Sequence, residues 1–319
     1  MSLASIFVSA IAPVVAIAAV GFLLGRTQGL DVDPLNTVVV YFFAPALVFH
    51  SLLTTDIEGG TLVSLGVGIV AFFAVMVVLV EAVVRLAGVE EPLLSAAVLT
   101  SVYPNCGNYG IPLSAFAFGA VGRSTAVLYL AAQSVIVYTH GVYIAARSGG
   151  DVGATAIRQV FTIPLVYAVV VAIAIRFAGV APPEDGTLMT TLELVGNAAI
   201  PLMLVMLGSE LVGTDVRSSL GVVSLSTGLK LLVAPVVGLG VALGLNSVGF
   251  GLDGTVGAVF VLECATPAAV TPLILLVEFG ETDATLASEF ASSVVLVSTL
   301  CSVVTVTALV SLLQNGLLL

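Results

Sequence analysis

The chain has 319 residues, of which 59% are hydrophobic and only 8% are charged, and its formal net charge is −11. A mean hydropathy of +1.23 lies far above that of soluble domains and indicates a polytopic membrane protein. The chain has 8 Lys and Arg residues and 19 Asp and Glu residues, so it offers no basic patch for nucleic acid. An acidic surface of this kind suits a halophile, because high salt screens its self-repulsion.

Ten apolar stretches are each long enough to cross a bilayer, which takes ~20 residues of helix. The first five are Ser5–Leu24, Leu35–Leu53, Thr61–Leu86, Leu93–Gly119 and Thr125–Ala146. The second five are Val160–Ala178, Leu188–Leu211, Leu220–Leu243, Gly254–Phe279 and Thr285–Leu313. The sequence therefore predicts an all-α polytopic membrane protein with ten transmembrane helices.

The two sets of five spans resemble each other in where their prolines lie. The matching pairs are Pro13 with Pro164, Pro45 with Pro201, and Pro112 with Pro272, at nearly constant offsets. Because each half has an odd number of spans, the halves enter the membrane in opposite directions and form a 5+5 inverted repeat. We assign residues 1–147 to the first repeat, 148–158 to a linker and 159–319 to the second repeat. The alternative is a chance alignment, since prolines are common in membrane helices.

More arginines lie on one side of the predicted membrane topology than on the other. The odd-numbered connections hold Arg26, Arg85, Arg147, Arg158 and Arg217, whereas the even-numbered ones hold Arg123 and Arg176. The positive-inside rule then places the odd connections and the linker in the cytoplasm. Both termini are predicted to be extracellular, with the protein in the cell membrane.

The fourth span is interrupted by Tyr103 to Pro112, a run with two prolines, two glycines and two asparagines. This run cannot continue an α-helix, and a break in hydrocarbon is tolerated only where protein or a water-filled cavity satisfies the freed backbone groups. We expect the backbone amides of Gly110 and Ile111 to be free, so that they bind an anion with the positive end of the following half-helix. Asn105 and Asn108 add neutral carboxamides, which can bind a carboxylate and release it.

The ninth span carries a second interruption, between Glu263 and Pro272. Thr271 followed by Pro272 is typical of an N-cap and first helical residue, so a second half-helix is expected to start there, with Thr271 at the site. In an inverted repeat the broken helices four and nine cross near the pseudo-twofold axis. The residues assigned to this crossover are Pro104, Gly107, Pro112, Thr266, Pro267 and Pro272. Two kinked helices without a ligand are the alternative.

Three ionisable residues lie inside apolar spans and are candidates for ion or proton coupling. Glu263 precedes the second interruption, where a carboxyl group can carry a proton or lie against a cation. Lys230 is midway along span eight; either it forms an ion pair with Glu263 that breaks on protonation, or it reaches to a membrane surface. His140 can relay protons or can simply be hydrogen-bonded.

The run from Pro104 to Leu113, in the fourth of ten spans, resembles the broken-helix motif of the auxin efflux carrier family of plants and their prokaryotic relatives. The resemblance covers essentially the whole chain. It implies a secondary transporter of elevator type, in which a transport part moves around the crossover and Asn105 and Asn108 contact the substrate. The long cytoplasmic loop of the plant carriers is absent, which argues against auxin. Prokaryotic relatives are generally assigned small organic anions such as malate or malonate.

Two other functions stay open beside an organic-anion carrier. One is an exchanger of Na⁺ or H⁺ with the same architecture, using Glu263, and the other is a metabolite-binding membrane sensor. No H-E-x-x-H or G-x-S-x-G motif is present, so we do not expect an enzyme. The cysteines Cys106, Cys264 and Cys301 have no metal-binding spacing, and no metal or cofactor is expected. Expected partners are the lipid bilayer, a small organic anion and a coupling H⁺ or Na⁺, with a homodimer as one possible assembly.

Overall fold

The computed structural model describes residues 7–54, 59–147, 164–212, 220–252, 254–279 and 284–319. Within these ranges the regular structure is helical, apart from one isolated antiparallel β-bridge between Pro104 and Ala268. The prediction of an all-α protein is confirmed for this part of the chain. The predicted linker, residues 148–158, lies outside the described residues.

Eleven helices are distinguished, in chain order, within the described residues. In order they are α1 (Ala12–Gln28), α2 (Val32–Thr54), α3 (Gly59–Leu86), α4 (Leu93–Val102), α5 (Cys106–Ala146), α6 (Pro164–Ala178), α7 (Thr187–Glu210), α8 (Leu220–Ser247), α9 (Gly254–Ala265), α10 (Thr271–Phe279) and α11 (Ala284–Gln314).

Six helices of the described residues are long and apolar enough to cross a membrane: α2, α3, α5, α7, α8 and α11. Further apolar helices of 10–17 residues are α1, α4 and α9, together with Tyr167–Ala178 of α6. A chain with this many apolar helices is a multi-pass membrane protein. The helices carry apolar residues around their whole circumference, as expected when one side faces lipid and the other faces protein.

Helix α5 is not straight. Its first turn, Cys106–Gly110, is a π-helical turn that leads directly into the α-helical segment from Ile111. Gly119 then interrupts the helical backbone with φ 65° and ψ −145°. Glycine adopts this conformation without a steric penalty. A short helical segment therefore lies between the π-helical turn and Gly119, and the longer remainder of α5 starts after that glycine.

Close packing of helices places the interrupted segments inside the molecule. Helix α7 packs against α1 and α2, and α9 packs against α5. Gly208 of α7 lies so near the carbonyl oxygen of Ala18 in α1 that a side chain would overlap it. Small residues allow such backbone contact between membrane helices. Elements α4, α9 and the start of α5 are almost wholly buried.

Candidate functional site

Helical structure stops at two places that lie against each other. Helix α4 ends at Val102 and α9 ends at Ala265, and the segments that follow run side by side. The backbone amide of Asn105 donates to the carbonyl oxygen of Pro267 at 2.7 Å, and that of Ala269 donates to the carbonyl oxygen of Tyr103 at 3.0 Å. These two bonds form the antiparallel bridge and hold both interrupted segments together.

Side chains from neighbouring helices satisfy further backbone groups that the interruptions leave free. Gln133 of α5 donates from Nε2 to the carbonyl oxygen of Pro104 at 2.8 Å. Ser298 of α11 accepts, at Oγ, a hydrogen bond of 3.1 Å from the amide of Ala268. Such partners are needed because non-helical backbone away from water is costly when it is unpaired. Non-helical backbone is therefore tolerated here because protein groups replace the missing helical hydrogen bonds.

The prediction that the amides of Gly110 and Ile111 are free is wrong. The amide of Gly110 donates to the carbonyl oxygen of Asn105 at 2.9 Å, and that of Ile111 donates to the carbonyl oxygen of Cys106. Both bonds belong to the π-helical turn, which closes back onto the interrupted segment instead of leaving donors open. Both residues are buried, and neither lines the cavity next to the interruptions.

A cavity of about 390 Å³ lies beside the two interrupted segments. Its wall includes Asn105, Asn108 and Thr271, which are three of the predicted substrate-binding residues. It also includes the crossover residues Pro104 and Gly107. Residues of α2 and α7 also line it. The remaining polar residues of the lining are Asp33, Asn36, Gln133, Ser134, Tyr138 and Glu210.

Two amide side chains beside this cavity have buried atoms without a hydrogen-bond partner. They are Nδ2 of Asn105 and Oε1 of Gln133. A buried polar atom in this condition costs about 1–3 kcal/mol. A hydrogen-bond acceptor that reached Nδ2 of Asn105 would remove that cost. Helix α10 begins at Thr271, one residue earlier than predicted.

Glu263 lies behind the interruption and has no exposed surface. Its Oε1 accepts a hydrogen bond of 2.6 Å from Oγ of Ser114, whereas its Oε2 has no partner. Gly110 lies against the carboxyl group so closely that a side chain at that position would overlap it. The carboxyl group is thus fixed by α5 on one side and has one oxygen available for a proton or a cation.

Lys230 of α8 is also fully buried, and its ammonium group donates to the carbonyl oxygen of Cys264 at 3.0 Å. That carbonyl belongs to the last turn of α9, where the partial negative charge of a helix favours a cation. The salt bridges found in the described part of the chain do not include Lys230 with Glu263. Because Lys230 is fully buried, its side chain does not reach a membrane surface. The ion pair with Glu263 stays a prediction.

His140 is bonded to the first interrupted segment rather than exposed to the cavity. Its Nδ1 lies 2.8 Å from the hydroxyl oxygen of Tyr103. This contact agrees with the simpler interpretation of a hydrogen-bonded histidine. Thr266, from the crossover set, donates from its hydroxyl to the carbonyl oxygen of Glu263 at 2.9 Å and so closes the end of α9.

Several residues of the site were not among the sequence candidates. Gln133 and Ser114 are polar residues inside apolar spans, which is a signal that could have selected them. Glu210 could not be selected in this way, because it stands at the end of its span. Only the folded structure shows that the end of α7 adjoins the cavity.

Comparison with known proteins identifies a transport family and two relatives that are described as transporters. A family model described as "Membrane transport protein" matches residues 6–310. An "Uncharacterized transporter" of Methanothermobacter thermautotrophicus is 27% identical over 282 residues, covering 88% of this chain and 89% of the relative. A "Putative malonate transporter" of Rhizobium meliloti is 25% identical over 295 residues, covering 89% of this chain and 88% of the relative. The chain belongs to this family of membrane transport proteins, the auxin efflux carrier family.

Proposed function

We propose that the protein is a secondary transporter in the cell membrane that moves a small organic anion by alternating access. The observation that carries the proposal is the cavity of about 390 Å³ at the two interrupted segments, with Asn105, Asn108 and Thr271 in its wall. Its volume is at the lower end for ligand pockets, which favours a small solute. The name of one relative, a putative malonate transporter, supports an organic anion as the transported solute.

The neutral donors of the wall fit the binding and release of a carboxylate. Asn105 and Asn108 can each donate two hydrogen bonds without adding a fixed charge. Thr271 begins α10, so the positive end of that helix adds a favourable potential for an anion. Gly110 and Ile111 take part only indirectly in this proposal, by closing the turn that carries Asn108. An anion held by neutral groups can leave again, as transport requires.

We further propose ten spans arranged as a 5+5 inverted repeat, with 1–147 and 159–319 as the repeats. In this scheme span four is α4 with the first part of α5, and span nine is α9 with α10. Helix packing supports the scheme: α1 packs against α7, and α6 packs against α2. A twofold axis that exchanges spans one and six, and spans two and seven, converts the first contact into the second.

Movement would be of elevator type around the crossover of Pro104, Gly107, Pro112, Thr266, Pro267 and Pro272. Support comes from the lining of the cavity, which combines residues of one group of elements, the interrupted segments and α5, with residues of a second group, α2 and α7. A rigid shift of one group against the other would carry the site across the membrane. The proposed orientation has both termini outside.

Coupling to H⁺ or Na⁺ is proposed at Glu263, with Lys230 and His140 as further candidates. The unpartnered Oε2 of this fully buried carboxyl group supports the assignment. The same observation favours the second candidate function, an exchanger of Na⁺ or H⁺ without an organic substrate. The two functions differ in whether an organic anion crosses the membrane.

Uptake into proteoliposomes tests the proposal. Radiolabelled malonate, malate and lactate are offered to wild type and to Asn108→Ala, with Asn315→Ala as the control at an exposed asparagine far from the cavity lining. We expect uptake of at least one acid, its loss in Asn108→Ala and its retention in the control. Proton or sodium flux without uptake of any acid would favour the exchanger instead.

A further inference from the structure

We propose that Glu210 is a specificity-determining residue that accepts a hydrogen bond from a hydroxyl group of the substrate. The substrate class is then a small hydroxycarboxylate with one negative charge, bound with its carboxylate at the interrupted segments and its hydroxyl at Glu210. This inference rests on the proposed transport function. It specifies which group the substrate carries besides its carboxylate, which the crossover residues do not determine.

Glu210 is the last residue of α7 and lies in the wall of the cavity that the interrupted segments also line. Met203, about two helical turns earlier on the same face, lines the same cavity. The α7 wall therefore presents an apolar surface that ends in a carboxyl group. A small solute that fills the cavity can meet both the neutral amide donors and this carboxyl group.

The carboxyl group of Glu210 lacks a full set of partners. Its Oε2 is buried and has no hydrogen-bond partner. The salt bridges found in the described part of the chain do not include it. A carboxyl oxygen accepts hydrogen bonds whether or not the group is ionised, so a donor suits this one.

The charge of the cavity decides against a second carboxylate on the solute. Its acidic lining residues are Glu210 and the more exposed Asp33. No lysine or arginine is among the lining residues of the described ranges. A dianion would place its second negative charge in a low-dielectric site where no lysine or arginine of the lining neutralises it, which is unfavourable. A hydroxyl group avoids this cost and supplies the donor.

Three acids separate these effects in binding measurements at one fixed pH on the purified full-length carrier. Butanoate and 3-hydroxypropanoate have nearly the same shape and differ in a terminal methyl or hydroxyl group, and malonate adds the second charge. We expect wild type to bind 3-hydroxypropanoate about tenfold more tightly than butanoate, as one net hydrogen bond implies. Malonate is expected to bind more weakly than 3-hydroxypropanoate.

Two substitutions at Glu210 test its role. In Glu210→Leu the preference for the hydroxy acid should fall to within about twofold while butanoate still binds, which also shows that the variant is folded. In Glu210→Gln, which keeps the shape and removes the charge, malonate should bind more tightly than to wild type. Glu193→Gln, an exposed glutamate on the same helix outside the cavity lining, is the matched control and should keep the wild-type order.

The outcomes separate this inference from the transport function. Suppose that wild type binds and transports acids but Glu210→Leu keeps the full preference for 3-hydroxypropanoate. The role of Glu210 is then refuted, and the proposed transport function is not. Should Glu210→Leu fail to fold, unchanged malonate binding in Glu210→Gln refutes the inference. If wild type binds none of the three acids and transports none, both proposals fall.

Discussion

The amide of Asn105 donates a hydrogen bond of 2.7 Å to the carbonyl oxygen of Pro267, although the two residues belong to opposite halves of the sequence. This bond fixes the backbone of Asn105 against the second interrupted segment. Its side chain, with Nδ2 buried and unpartnered, is therefore held beside the cavity by groups from both halves. Displacement of either segment would alter the site that the two share.

Gly110→Ala is expected to destabilise the protein. The added methyl group would overlap the carboxyl group of Glu263, which is fully buried and cannot move into solvent. Overpacking of this kind costs about 1–3 kcal/mol. Thermal unfolding of the purified carrier in detergent should therefore show a lower midpoint.

Gly107→Ala is the matched control, in the same π-helical turn. A methyl group there would meet Leu130 only at ordinary contact distances of 3.6–3.7 Å. Its unfolding midpoint should stay close to that of wild type. Equal midpoints for the two variants would contradict the close contact between Gly110 and Glu263.

Ser114→Ala removes the hydrogen bond of 2.6 Å to Oε1 of Glu263. Since Oε2 already lacks a partner, the carboxyl group would then have no hydrogen bond from a side chain. We expect a loss of about 1–3 kcal/mol in unfolding free energy and a fall in transport. The measurement is a double-mutant cycle with Glu263→Leu, which removes the accepting oxygen, and the two changes should be non-additive. Strict additivity would show that the pair does not interact.

Glu263→Gln is expected to abolish the dependence of uptake on its coupling ion. The amide has the shape of the carboxyl group, but it can neither gain a proton nor neutralise Na⁺. Proteoliposome uptake is measured with imposed pH, Na⁺ and voltage gradients varied separately. Glu289→Gln, at an exposed glutamate of α11, serves as the control. If the variant responds to each gradient as wild type does, Glu263 is not the coupling residue.

Composition and one local motif predicted the fold class and the family, whereas the inverted repeat inferred from proline spacing stays a prediction. The apolar stretches predicted an all-α membrane protein, which the described helices confirm, and the run from Pro104 to Leu113 predicted the family, which the family match confirms. Proline effects on a helix are local, so they can be inferred from sequence. The same applies to Asn105 and Asn108, which line the cavity because they lie within the interrupted segment.

Partners of the freed backbone groups could not be predicted from the sequence. The expected free amides of Gly110 and Ile111 are bonded within a π-helical turn, which depends on how the segment packs. Gln133 and Ser114 find their partners in other helices, and Glu210 meets the cavity only through the placement of α7. Such contacts arise from tertiary packing rather than from local propensity.

The most direct test of the carrier site is uptake of radiolabelled organic acid by Asn108→Asp in proteoliposomes. The change keeps the shape of the side chain and places a negative charge in the cavity wall, where an anion would be repelled. The account predicts that uptake is lost while the unfolding midpoint stays near that of wild type. Asn315→Asp, outside the cavity lining, should transport normally. Wild-type uptake by Asn108→Asp would contradict an anion site between the two interrupted segments.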